Sequence, residues 1–219
     1  MGIKKISGVM FDLDGTLLDT IGDISDSMNS LMIKYGLPEK SEKEYAAMVG
    51  YGAPQFIRDN FPDNFDHSTI LAEYRITLSQ NSRNRTGLFE GIGEMLTFLT
   101  EKSLPLAVLT NKPEQTAREV CAYFLSSWPF THISGQLDGV PHKPHPGQAL
   151  EIISDWGIEP SECLYMGDTS TDMETAKNAG FIAVGCSWGF RSREELEKTG
   201  AEEIVDCPDE LIQLIESWC

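Results

Sequence analysis

Two hydrophobic rhythms divide this chain. Val9-Met10-Phe11 is a short, continuous apolar run of the kind that forms a strand buried on both faces, and it breaks at Asp12-Leu13-Asp14-Gly15-Thr16. From about Ile21 to Arg85 the spacing turns helical: Ile24, Met28, Leu31, Met32 and Tyr35 share one face, and Ile70, Leu71, Tyr74 and Leu78 another. Gly36-Leu37-Pro38 stops the first of these helices, Ser41 or Glu42 starts the next, and no strand pattern occurs in the stretch. After Gly87 strand and helix alternate. Leu104–Leu109, His132–Ser134, Cys163–Met166 and Ile182–Gly185 read as strands, with Ile204-Val205 as a short apolar pair. The segments 113–125, 146–156, 172–179, 194–198 and 209–217 read as helices.

Alternation on this scale predicts an α/β fold, a doubly wound, mostly parallel Rossmann-like sheet covered on both faces. The helical stretch then falls outside it as an inserted α-helical cap domain. The expected division is 1–18 and 87–219 for the core and 19–86 for the cap, with joints near Leu18–Ile21 and Arg85–Gly91.

Composition narrows the function classes. With 219 residues, 41% of them hydrophobic, the chain can bury one sizeable core plus an insert. No apolar run is long enough to span a bilayer, and the N-terminus has no apolar signal region. Five scattered cysteines (Cys121, Cys163, Cys186, Cys207, Cys219) without a C-x-x-C pair argue against a disulfide framework or a zinc site and for a reducing compartment, so the expected location is cytoplasmic. Seventeen basic against 34 acidic residues, a net charge of −17, exclude a nucleic-acid partner, which would need clustered Lys and Arg. A monomer or homodimer with no membrane or nucleic-acid partner is expected.

Four strand ends carry candidate chemistry, where open α/β sheets place their ligands. Asp12 and Asp14 follow the first; Asp-Gly also marks turns. At the second, Thr110 and Asn111 offer a hydroxyl and an amide before a helix, either to an anion or as its N-cap. The third segment, His142-Lys143-Pro144-His145-Pro146, holds Lys143 between stiffening prolines, where an ammonium can neutralise a phosphoryl group; the two histidines read as loop residues. At the fourth, Gly167-Asp168 is followed by Asp172 at a helix start, in positions that also suit a turn and a cap. Several carboxylates in one place repel unless a cation lies among them, and hard oxygen donors suit Mg²⁺.

Together, Asp12-Leu13-Asp14-Gly15-Thr16, Leu109-Thr110-Asn111, Lys143-Pro144-x-Pro146 and Gly167-Asp168-x-x-x-Asp172 resemble the motifs of the haloacid dehalogenase superfamily. The helical insertion, Val49-Gly50-Tyr51-Gly52 and Ser187-Trp188-Gly189-Phe190 are similar to its phosphoglycolate phosphatase-like branch. The resemblance implies a Mg²⁺-dependent phosphatase of a small phosphorylated metabolite. Asp12 would be the nucleophile that forms a phosphoaspartate and Asp14 the general acid and base. Thr110, Asn111 and Lys143 would bind the phosphoryl group, Thr110 and Lys143 also serving catalysis. Asp12, Asp14 (through its backbone carbonyl), Asp168 and Asp172 would hold the metal. Dehalogenases of the superfamily lack the second aspartate, since a halide needs no proton, so Asp14 favours phosphate chemistry. A phosphomutase of the β-phosphoglucomutase type, an inorganic pyrophosphatase and a non-catalytic phospholigand-binding module are the alternatives. Arg58, Arg75, Arg83 and Arg85 are candidate contacts for an acidic substrate.

Overall fold

Alternate residues of the central strands point into two separate cores. Val9 and Phe11 of β1 (Gly8–Phe11), Leu106 and Val108 of β4 (Leu106–Pro113), and Leu164 and Met166 of β6 (Cys163–Gly167) face one. Met10, Ala107, Leu109, Cys163 and Tyr165 face the other. With period-2 side chains and both faces covered, every position of such a strand is apolar, which is why the runs are continuous.

The computed structural model describes residues 5–218; Cys219 lies outside them. Its six-stranded sheet has the order β5-β4-β1-β6-β7-β8, adding β5 (Phe130–Gln136), β7 (Ile182–Cys186) and β8 (Glu203–Val205), and every adjacent pair is parallel. The covering helices are α5 (Ile92–Glu101), α6 (Glu114–Phe124), α7 (Gly147–Trp156), α8 (Ser170–Ala179), α9 (Arg193–Thr199) and α10 (Pro208–Trp218). The α/β expectation holds. From β1 the chain builds outward first on the β4 side and then on the β6 side, so the direction of winding reverses around β1, where a crevice opens beyond the strand ends.

Between β1 and α5 lie four helices, α1 (Ile21–Lys34), α2 (Glu42–Ala46), α3 (Ala53–Asn60) and α4 (His67–Asn81). They enclose a third apolar cluster of their own, including Met28, Tyr45, Phe56, Ile70 and Tyr74. α2 starts at a capping box in which Ser41 and Glu44 satisfy each other's backbone N–H groups, as the polar break after Gly36-Leu37-Pro38 predicts. The two connections pair with each other as β2 (Leu18–Asp19) and β3 (Gly87–Leu88), an antiparallel ribbon too short to show in the hydrophobic pattern. Asp23, buried in the first turn of α1, accepts from the Arg85 and Thr86 N–H groups at 2.9 and 3.0 Å and from the Thr86 hydroxyl at 2.7 Å, tying the second connection to the first.

Among the described residues no helix is long and apolar enough to cross a membrane. The four described cysteines are free thiols.

Candidate active site

The loop after β1 is wound so that its carboxylates face the crevice. The Asp12 N–H donates to Met166 O at 2.9 Å, continuing the β1–β6 ladder one residue past the strand. Leu13 O then accepts from the Leu17 and Leu18 N–H groups, reversing the chain. Gly15, at φ +81°, lies against Asp168: a Cβ there would come within 2.3 Å of Asp168 Oδ2, so the turn needs glycine for both its backbone and its space.

The structure brings Asp12, Asp168 and Asp172 together, all buried, with one carboxylate oxygen of each within 4.8 Å of the others. Asp168 is aimed by the Thr16 hydroxyl on Oδ1 (3.0 Å) and the Phe190 N–H on Oδ2 (2.7 Å). Asp172 Oδ2 accepts from the Thr169 N–H and hydroxyl, forming the capping box that begins α8, so the cap reading of this residue is correct as well. Asp172 Oδ1 takes Lys143 Nζ at 2.6 Å. The Lys143 ammonium also donates to the Tyr165 hydroxyl at 3.0 Å and lies 2.9 Å from Asp12 Oδ1. That last contact is an ion pair without hydrogen-bond alignment, and Asp12 Oδ1 is buried with no hydrogen-bond partner.

Two of the three carboxylates, Asp12 and Asp172, therefore share one buried ammonium. Burial pushes the Asp12 carboxyl up to about 7, with Lys143 opposing and Asp172 and Asp14 reinforcing the rise. Asp168 is held well above the usual carboxylate range by burial first and by Asp172 and Asp12 next. Burial alone would lower Lys143, but the Asp12 and Asp172 charges outweigh it and hold the ammonium well above its ordinary value. An uncompensated carboxylate pair with an orphaned buried oxygen fits a divalent cation, and an all-oxygen donor set fits Mg²⁺. Asp12 and Asp168 would hold it. Asp172, with both oxygens engaged, would steady the site.

The Asp14 carboxylate turns away from this cluster to the other side of Asp12. Its Oδ1 accepts from Lys112 Nζ at 2.7 Å, and the lysine side chain is only 2% exposed. Sequence reasoning passed over Lys112: preceding a proline and a helix it reads as loop, whereas β4 runs through Lys112 to Pro113 with all its residues buried. The one available signal was a strand-terminal cation next to Thr110 and Asn111.

Thr110 is buried, and its oxygen accepts from the Lys112 N–H at 3.2 Å while its own proton has no acceptor among the described residues. Asn111 is differently engaged. Both its amide hydrogens are committed, to Gly50 O at 2.9 Å and Lys143 O at 3.0 Å, so the side chain braces two loops and offers no free donor to a phosphoryl group. The arginines proposed as substrate contacts lie elsewhere: Arg58 on Gln55, Arg75 on Asp138, Arg83 over the Tyr123 ring, and Arg85 on Asp26 and Glu42.

A cavity opens over these groups between strand ends and helical insertion. Asp12, Asp14, Thr110 and Lys112 line its floor, and Ile24, Val49, Phe56, Tyr74 and Leu78 line its far wall. The insertion is fastened over it by the Asn111–Gly50 bond, by Tyr51 OH 3.1 Å from Ser170 Oγ, and by Arg191, whose buried guanidinium donates to Ala46 O, Ala47 O and Val49 O.

The sequence profile of the haloacid dehalogenase-like hydrolases matches residues 9–186. A phosphoglycolate phosphatase of Pseudomonas syringae pv. tomato is 29% identical over 205 residues, which cover 90% of this chain and 75% of that one. A phosphoglycolate phosphatase of Haemophilus influenzae is 26% identical over 215 residues, covering 94% and 96%. The crystal structure of a haloacid dehalogenase-like family hydrolase from Streptococcus pneumoniae superposes with a TM-score of 0.87 at 24% identity, covering 95% of this chain and 98% of its own, a likeness of fold.

Proposed function

The chain belongs to the haloacid dehalogenase-like hydrolases, and from that premise we propose that it is a Mg²⁺-dependent phosphatase of a small phosphomonoester of the phosphoglycolate kind. One observation carries the reading. Asp12 has an oxygen in ion-pair contact with a buried ammonium, without an aligned hydrogen bond, and a second carboxylate beside it, while Asp14 shares the floor of the same cavity. This arrangement suits a nucleophile with charge stabilisation on one side and a proton carrier on the other.

In the first step an Asp12 oxygen attacks phosphorus, the bond to the ester oxygen breaks, and Asp14 supplies the proton that the leaving alkoxide needs. In the second, water attacks the phosphoaspartate. Asp14 takes the proton from that water, and the bond from Asp12 to phosphorus breaks to free inorganic phosphate and restore the carboxylate. Lys143 and the Thr110 hydroxyl would stabilise the charge on the phosphoryl oxygens, and phosphoryl transfer depends mainly on such positioning and charge stabilisation. Mg²⁺, held by Asp12 and Asp168, would supply further positive charge to those oxygens and keep the carboxylates ionised. The free thiols accord with a cytoplasmic setting.

The test is phosphate release from a panel of phosphomonoesters and pyrophosphate, with and without Mg²⁺. Release that depends on Mg²⁺ and favours a short-chain ester is the expected result; no release from any compound overturns the reading.

A further inference from the structure

Lys112 is a buried cation for which the chemistry above has no use. Its ammonium has three N–H directions, and among the described residues only Asp14 Oδ1 accepts from it. It is the one cationic side chain among the described residues that line the cavity. The opposite wall, from the insertion, is Ile24, Val49, Ala53, Phe56, Tyr74 and Leu78, so no arginine or lysine faces it from above. A second feature has the same sign. α3 begins at the cavity, with Gly52 as an N-cap that supplies no side-chain acceptor, and since Pro54 has no N–H its uncapped amides are those of Ala53 and Gln55. An ester with a neutral tail would leave Lys112 with Asp14 as its one acceptor and bring none to the start of α3. An anionic tail would satisfy both.

We propose that Lys112 is the specificity-determining residue of the proposed phosphatase: it pairs with a carboxylate on the substrate's leaving group and gives up Asp14 in doing so. The exchange breaks and forms hydrogen bonds only; the ammonium keeps its three protons and passes from one carboxylate to another. With Lys112 turned to the substrate, Asp14 Oδ1 is freed to face the ester oxygen. An ester without the anion leaves Asp14 tied to Lys112 and so loses in kcat as well as in KM. The inference rests on the phosphatase reading for its chemistry, but its ligand preference can be measured without turnover.

The experiment compares 2-phosphoglycolate with 2-hydroxyethyl phosphate, in which a hydroxymethyl group replaces the carboxylate. Both are assayed with Mg²⁺ on the wild type and on Lys112→Met and Lys112→Arg. The wild type is expected to prefer the carboxylate, and Lys112→Met to lose about 10- to 100-fold in kcat/KM on 2-phosphoglycolate, the range of one charged hydrogen bond, while kcat on the neutral ester rises because Asp14 is no longer tied. Lys112→Arg should keep part of the preference. Equal losses on both esters, or a wild type indifferent to the carboxylate, would overturn the proposal. Calorimetric titration of the two esters into Asp12→Asn protein decides the matter if Lys112→Met does not fold or if nothing is turned over. Tighter binding of 2-phosphoglycolate by a similar factor is expected, and equal affinities overturn the inference. Phosphate release from the neutral ester with no preference sinks the inference alone, whereas release from neither ester, nor from p-nitrophenyl phosphate, sinks the phosphatase reading.

Discussion

Asp12 and Asp14 are two residues apart and in different electrostatic company, and that difference assigns their roles. Asp12 has an unpartnered oxygen next to Lys143; Asp14 is held at 2.7 Å by Lys112. Asp12→Asn keeps the shape and removes the nucleophile, so phosphate release should vanish while the thermal unfolding curve stays cooperative. Activity near that of the wild type would rule out a phosphoaspartate at this position. Asp14→Asn removes only the proton carrier and should slow steady-state turnover by roughly two to four orders of magnitude. The loss should be smaller for an ester whose leaving group is already acidic, such as p-nitrophenyl phosphate, which needs less protonation. Equal losses in kcat/KM, which reports the first step, on acidic and alkyl leaving groups would give the leaving-group proton to another residue; equal losses in kcat alone would mark the general-base role of Asp14 in the second step. Asp12, Asp14 and Asp168 were legible in the chain as carboxylates where an apolar run breaks, Lys143 as an ammonium held by the adjacent Pro144, and Asp172 as an acidic residue at a helix start. Lys112, Tyr165 and Thr16 were not. Tyr165 reads as one more apolar strand position, and nothing in the spacing indicates that its hydroxyl meets Lys143 from the opposite side of the sheet's end.

The elements matter here through their ends. α8 starts at Ser170 under a capping box that Asp172 closes with Thr169, so the residue that holds Lys143 also caps the helix, and one carboxylate serves both tasks with different oxygens. The loop after β7 makes three contacts of this sort: Phe190 N–H aims Asp168, Trp188 Nε1 donates to Thr16 O at 3.0 Å, and Gly189 lets both approach. Its Arg191 then reaches out to the end of α2 and takes the carbonyls of Ala46, Ala47 and Val49. In sequence terms Arg191 was an unremarked cation before a helix, since contacts spanning more than 140 residues leave no local trace. Arg191→Ala leaves these carbonyls short of donors, each charged bond being worth roughly 1.5–3 kcal/mol. The expected result is faster amide hydrogen exchange from Met48 to Tyr51, with protection of β1, β4 and β6 unchanged. KM should rise more than kcat falls, because the displaced segment carries Gly50 and the start of the cavity wall. Unchanged exchange in that segment would mean that the Asn111–Gly50 and Tyr51–Ser170 bonds hold the insertion down without Arg191.

At the scale of the whole molecule, the division into sheet and helical insertion was readable because the hydrophobic period changes from one to the other and back. The ribbon of β2 and β3 was not, being two residues on each side. Nor was the depth of the site, although depth controls its response to pH. In the metal-free protein Asp12 titrates near 7 and Asp168 is raised as well, both chiefly by burial. In the unfolded chain such carboxyls titrate near about 3.9. Between those values the folded protein binds more protons than the unfolded one, so the free energy of unfolding must fall as pH rises from about 4 to about 7. A divalent cation bound by the folded state alone stabilises it according to its affinity, and that affinity grows as the protons leave the same oxygens. Thermal unfolding in EDTA should therefore give a lower Tm at about pH 7.5 than at about pH 5, in an order that Mg²⁺ narrows or reverses. The increment in Tm from Mg²⁺ should be larger at the higher pH. Asp12→Asn, neutral at every pH, should flatten the EDTA profile and lose much of the increment. If Mg²⁺ raised Tm equally at both pH values in the wild type, the cation would be binding away from Asp12 and Asp168, among the exposed acids of a chain with a net charge of −17.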